Sequence, residues 1–107
     1  MKTYNKLVRD KIPEIIENGG SRPEIRILED EEYRIYLEKK LDEEVGEYHR
    51  DKNAEELADI LEVVFALADA IGCTREELMR VYQKKNDERG GFGKRYFLIG
   101  VEEGERK

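Results

Sequence analysis

Residues 40–70, KLDEEVGEYHRDKNAEELADILEVVFALADA, decide the fold of this chain. Apolar residues recur there every three or four positions on both sides of a short polar turn, which predicts two helices packed against each other. Each predicted helix carries two acids three residues apart, Glu44 with Glu47 and Glu56 with Asp59. Helix geometry places one acid of each pair within the apolar arc of its helix and the other at the edge of that arc. The pattern therefore predicts four carboxylates between two helices.

These four carboxylates are the candidate metal ligands of the chain. Burying unpaired carboxylates costs several kcal/mol, and like charges force some of them to stay protonated. A divalent cation removes both problems, and a ligand set made only of oxygen favours Mg²⁺, with Mn²⁺ as the alternative, over Zn²⁺. Two structural interpretations stay open at this point. Acids three apart arise by chance in a chain that is 43% charged, and Asn53 could cap the second helix with Glu56 in the capping-box position.

Length and composition limit the classes of protein to which this chain can belong. A chain of 107 residues is expected to be a single domain with a modest core, of the size that often completes its core by oligomerising. Its 26 acidic and 20 basic residues give a net charge of −6, which argues against nucleic acid or an anionic membrane surface as the main partner. No stretch is apolar for long enough to cross a membrane, and the N-terminus lacks the apolar core of a signal peptide.

The rare residue types indicate the compartment and exclude some chemistry. The single cysteine, Cys73, excludes an intrachain disulfide framework and favours a cytoplasmic location. With His49 as the single histidine, neither a zinc site nor thiol catalysis assisted by histidine is expected.

Helix signals along the chain predict an all-α fold. Pro13 suits the start of a short N-terminal helix, Asp30 is a candidate cap for the next one, and Thr74 with Glu77 has the T-x-x-E form of a capping box. The segment 21–28 is predicted to be a connector with room for a short strand, and the apolar run 96–101 could pair or pack at an edge. We expect a compact bundle of three main helices at about 31–50, 54–71 and 74–89.

The second main helix is apolar over a wide arc. Such a helix is expected at the centre of a bundle or at a subunit interface. The predicted stripe consists of Leu57, Ile60, Leu61, Val64, Leu67, Ala68 and Ile71.

Two groups of cations are candidates for binding phosphate. Lys85 and Arg89 continue the apolar stripe of the third main helix, with Asn86 between them. They could bind a polyphosphate, or they could close the helix by complementing its dipole. In the N-terminal arm the basic residues Lys6, Arg9 and Lys11 could likewise reach a phosphate or stay in solvent.

The motifs together resemble a known superfamily. EEVGE (43–47) and EELAD (55–59) on consecutive predicted helices, followed by RGGF (89–92) at a basic helix end, resemble the MazG-like all-α nucleoside triphosphate pyrophosphohydrolases. The opening YNKLVRDKIPEII (4–16) is similar to the branch of phosphoribosyl-ATP pyrophosphohydrolase-like proteins. The resemblance covers nearly the whole chain.

This resemblance implies an activity and roles for particular residues. It implies a helical bundle that forms homodimers or homotetramers, and a magnesium-dependent cleavage between the α and β phosphates that yields a monophosphate and pyrophosphate. Glu43 would act outside the ligand set or on the nucleophilic water, and Glu44 or Glu47 would orient or deprotonate that water. The implied metal ligands are Glu44, Glu47, Glu56 and Asp59, and the implied phosphate-binding residues are Lys85, Asn86 and Arg89.

The substrate is left open by the resemblance. We expect an enzyme that acts on non-standard or excess nucleotides, with phosphoribosyl-ATP of histidine biosynthesis as the alternative substrate. A different class also stays open, in which the chain is a non-catalytic helical oligomerisation or interaction module whose acids are solvated.

Overall fold

The computed structural model describes residues 1–104, and over these residues every regular element is a helix. The predicted all-α class is therefore confirmed, and the three main helices begin and end within one residue of the predicted positions. Segment 21–28 contains no strand. The helices are α1 (Ile12–Asn18), α2 (Asp30–Asp51), α3 (Ala54–Ala70) and α4 (Arg75–Arg89).

The chain divides into two compact units. The first, Met1–Arg75, contains α1, α2 and α3, and the second begins at Glu76 and contains nearly all of α4. Within the first unit, α2 and α3 pack against each other. No helix of the described residues 1–104 combines the length and the apolarity needed to cross a bilayer.

A two-residue connection turns α2 back onto α3. Lys52 adopts a left-handed conformation (φ 48°, ψ 47°) that ends α2, and its N–H donates to the carbonyl of Tyr48. Asn53 then caps α3, because its side-chain oxygen accepts from the backbone N–H of Glu56 at 3.0 Å. The predicted Asn53 cap is confirmed. So short a connection places the end of α2 beside the start of α3, and this brings the two acidic pairs together.

The core between α2 and α3 is small. Among the described residues, the buried apolar side chains are Leu37, Val63 and Ala68. The predicted stripe of α3 is partly wrong, since Leu57 and Leu61 are each about half exposed, at 52% and 51%. The reason is that α3 is apolar around most of its circumference, so that periodicity alone does not select the packed side.

The N-terminal arm, residues 1–11, is held to both packed helices by ion pairs. Lys6 Nζ lies 2.9 Å from a carboxylate oxygen of Glu43 on α2, and Arg9 Nη2 lies 2.7 Å from Asp59 Oδ1 on α3. The helix that follows the arm carries its proline at the start, as predicted. The predicted Asp30 cap is wrong, because α2 already begins at Asp30 and the residue at the capping position, Glu29, makes no side-chain capping hydrogen bond.

In the second unit, α4 begins directly after Thr74, in agreement with its predicted start. No residue of α4 is buried. The helix ends where Gly90 takes a positive φ of 78° and donates its N–H to the carbonyl of Asn86 at 2.8 Å. The apolar run 96–101, predicted to pack at an edge, is exposed and outside any helix or strand.

Candidate metal centre

Four carboxylates from α2 and α3 converge on one point. Glu44, Glu47, Glu56 and Asp59 each offer one oxygen, and these four oxygens all lie within 4.8 Å of one another. Opposite ligands of a magnesium ion are separated by about 4.2 Å, twice the usual metal–oxygen distance. Small side-chain rotations would therefore bring the four oxygens to ligand distance of a single divalent cation.

Glu44 is the most buried of the four, with 6% of its surface exposed. Its Oε1 lies 3.2 Å from Lys40 Nζ, whereas its Oε2 is buried without a hydrogen-bond partner. Burial is the main cause that raises the pKa of Glu44. The proximity of Glu47 adds to the rise, and the bond from Lys40 opposes it. A buried carboxylate oxygen without a donor is costly, and a metal ion at this point would satisfy it.

Glu56 has a second such atom, on the opposite helix. Its Oε2 is also buried without a hydrogen-bond partner. The cap at Asn53 engages the backbone N–H of Glu56, so helix capping accounts for the backbone of this residue but not for its carboxylate. The two buried oxygens without partners therefore belong to the same four-residue cluster and come from different helices.

The acids at the cluster outnumber the cations bonded to them by two, which equals the charge of one divalent cation. Adding Glu43 to the four clustered acids gives five carboxylates. The cations bonded to them in the described structure are Lys6, Arg9 and Lys40. The formal net charge is thus −2, which Mg²⁺ or Mn²⁺ would neutralise. The residues present fit the ion in donor type, spacing and charge.

Glu43 is arranged differently from its neighbour Glu44. Its Oε1 accepts from Lys6 at 2.9 Å and its Oε2 from Lys40 at 2.7 Å, so both oxygens are engaged. Burial acts to raise the pKa of Glu43, but the hydrogen bonds from Lys40 and Lys6 outweigh it and lower the pKa below its usual value. Of the two roles that the resemblance implies, this arrangement favours one outside the ligand set, in which Glu43 orients Lys40.

The predicted phosphate-binding residues lie in the second unit. Lys85, Asn86 and Arg89 are exposed on the last turns of α4. Their role at a substrate stays a prediction.

Sequence reasoning missed one residue of the centre, Lys40. Its Nζ contacts Glu43 and Glu44, and its side chain is only 17% exposed. The spacing of three and four residues within one helix is a signal that could have found these contacts. The contacts of Lys6 and Arg9 join residues 37 and 50 positions apart, and no local pattern predicts such pairs.

We predict that Glu44→Gln stabilises the metal-free protein at neutral pH. Because the fold raises the pKa of Glu44 above its ordinary value of 4.5, the unfolded chain ionises first as the pH rises. The free energy of unfolding therefore falls as the pH rises from the pKa of Glu44 in the unfolded chain to its higher pKa in the folded protein. It stays lower at any pH above that interval. Glutamine carries no such penalty. Thermal unfolding with a chelator should show a higher Tm for the variant at pH 7 but not at pH 4, and an equal or lower Tm at pH 7 would contradict the prediction.

Comparison with known proteins yields one local similarity. No family model matches the chain, and no solved structure matches it. A curated protein of Mycolicibacterium smegmatis, named as an uncharacterized protein, is 57% identical over 42 residues. The match spans 39% of this chain and 43% of that relative, so the similarity concerns less than half of either protein.

Proposed function

We propose that this protein is a magnesium-dependent nucleoside triphosphate pyrophosphohydrolase. The observation that carries the proposal is the pair of buried, unpartnered oxygens of Glu44 and Glu56 within one four-carboxylate cluster. Solvated surface acids have no such atoms, so the arrangement favours a cation site over a non-catalytic module. The similarity of EEVGE, EELAD and RGGF to the MazG-like superfamily supplies the reaction class.

The residues of the centre then take separate roles. Glu44, Glu47, Glu56 and Asp59 would hold the metal, with Mn²⁺ as the alternative to Mg²⁺. Bound metal supplies polarisation of the phosphoryl oxygens, orientation of the triphosphate and a lowered pKa for a coordinated water. Glu44 or Glu47 would orient or deprotonate the attacking water.

Glu43 and Arg9 hold the rest of the centre in place. Glu43 keeps the ammonium group of Lys40 beside Glu44. The guanidinium of Arg9 bonds Asp59 Oδ1, and the second oxygen of Asp59 can serve as a ligand at the same time.

The substrate we propose is a non-standard or excess nucleotide, cleaved between the α and β phosphates. Phosphoribosyl-ATP is the alternative substrate suggested by the similarity of residues 4–16 to that branch. We place the enzyme in the cytoplasm, in accord with its single cysteine.

We also propose that the active form is a homodimer or homotetramer. Support comes from the small core between α2 and α3 and from the half-exposed Leu57 and Leu61 on α3. An apolar helix face of this kind is typical of a subunit interface.

The test of the proposed function is the stoichiometry of the products. Purified protein with magnesium should release monophosphate and pyrophosphate in equal amounts from at least one member of a panel of standard, deoxy and modified triphosphates and phosphoribosyl-ATP. Chelation should abolish the release, and added Mg²⁺ should restore it. Release of orthophosphate alone would refute the mechanism. Calorimetry should show divalent binding, whereas a non-catalytic module would show none.

A further inference from the structure

A cleft between the N-terminal arm and α2 lies next to the candidate metal centre. The cleft is open to solvent on one side and has a volume of about 470 Å³, within the usual range for small-molecule sites. Besides Glu43, its lining includes the lysines Lys6, Lys39 and Lys40 and the tyrosines Tyr4 and Tyr36.

The lining is positive although the protein is negative overall. Three lysines face one acid in the cleft, whereas the whole chain has a net charge of −6. With a divalent cation balancing the neighbouring acids, an anion is attracted to this cleft and repelled by much of the remaining surface.

Lys40 connects the cleft to the metal centre. Its Nζ lies 2.7 Å from Glu43 Oε2, which lines the cleft, and 3.2 Å from Glu44 Oε1, which belongs to the four-carboxylate cluster. A ligand that spans both places would have phosphate groups near the lysines and a reacting group near the acids.

Two of the lysines have donors available for a ligand. Lys39 is exposed, its Nζ lies 4.9 Å from the ring centre of Tyr36, and it forms no ion pair within residues 1–104. Lys6 forms one ion pair, with Glu43, and its side chain is 41% exposed. Because an ammonium group has three donors, Lys6 can still donate to a ligand.

We propose that this cleft binds the β- and γ-phosphates of a nucleoside triphosphate, with the α-phosphate at the metal centre. The inference rests on the proposed function and assigns the polyphosphate site to the arm and α2. A triphosphate that carries one divalent cation remains anionic, so further cations are needed beside the metal. Binding of this kind recognises the phosphate chain rather than the base, and we expect affinity to depend on phosphate number more than on base identity.

The test uses methylenediphosphonate, a pyrophosphate analogue that cannot be hydrolysed, together with magnesium. Calorimetry should show binding to the wild-type protein and about tenfold weaker binding to Lys6→Ala and to Lys39→Ala, since each loses one charge-assisted contact. Lys39→Arg should retain most of the affinity. Lys84→Ala is the matched control, because Lys84 is an exposed lysine of α4 that does not line the cleft, and it should bind as the wild type does.

A separate titration with magnesium alone distinguishes this inference from the metal site. The affinity for magnesium should be the same in Lys39→Ala and in the wild type. Unchanged analogue binding in both alanine variants would overturn the inference, and so would an equal loss of magnesium affinity in Lys39→Ala. If the wild type releases no pyrophosphate but the alanine variants still lose the analogue, the cleft stands as a polyphosphate site and the proposed reaction fails.

Discussion

Glu56→Ala is expected to lower pyrophosphate release by a hundredfold or more while leaving the helix content unchanged. The substitution removes one of four oxygen ligands of the proposed metal. Replacing a residue that merely supports a metal ligand typically lowers metal affinity or activity by about 10- to 100-fold. The cap of α3 survives the change, because Asn53 accepts from the backbone N–H at position 56 and not from its side chain. Asp59→Ala should have the same effect. Turnover, measured with saturating magnesium, checks the loss of activity. Circular dichroism of the same samples checks that the helix content is unchanged.

Glu55→Ala is the matched control for this experiment. Glu55 lies in the same first turn of α3, has the same charge and is exposed, so its removal should leave turnover near that of the wild type. Undiminished activity in both Glu56→Ala and Asp59→Ala would show that the acids of α3 serve the helix and not the reaction. An equal loss in Glu55→Ala would indicate an effect of net charge instead of a ligand.

Leu37→Ala is expected to lower the free energy of unfolding by about 2–5 kcal/mol, the usual cost of emptying a buried leucine site. Leu37 is 4% exposed and is one of three buried apolar residues within the described chain. With so small a core, few neighbours can relax to fill the space. Denaturant unfolding, monitored by circular dichroism with a chelator present, measures the change without a contribution from bound metal.

The control for the core is Ile35→Ala on the same helix. Ile35 is 49% exposed, so its truncation removes about the same number of carbons from a site that already contacts solvent. We expect a clearly smaller loss than for Leu37. If both variants lost the same stability, the side of α2 that carries Leu37 would not be its packed side.

The helices themselves were largely predictable because their signals are local. Asn53 bonds a group three residues away, and the glycine after α4 acts on the carbonyl of Asn86 in the preceding turn. Interactions of this range are encoded by spacing along the chain. The one wrong cap, Asp30, misplaced a helix start by a single residue and changed nothing in the fold.

The packed side of α3 was not predictable in the same way. Leu57 and Leu61 have the periodicity of a buried stripe and are half exposed, whereas Ala68 of the same stripe is buried together with Val63. On a helix that is apolar almost all round, burial depends on where the neighbouring helix lies. For the same reason, the subunit interface proposed at the exposed leucines is not specified by the sequence of one chain.

By itself, the sequence determined that this protein is helical and that four acids, Glu44, Glu47, Glu56 and Asp59, sit one turn apart on two consecutive helices. Only the tertiary structure decided that one oxygen from each acid lies within 4.8 Å of the others and that Glu44 and Glu56 each have a buried oxygen without a donor. The tertiary structure also decided which cations pair with the acids of the centre. Lys6 and Arg9 of the N-terminal arm form ion pairs with Glu43 and Asp59, which are distant from them in sequence. Local spacing governs helices, whereas burial and long-range ion pairs depend on how α2, α3 and the arm pack together.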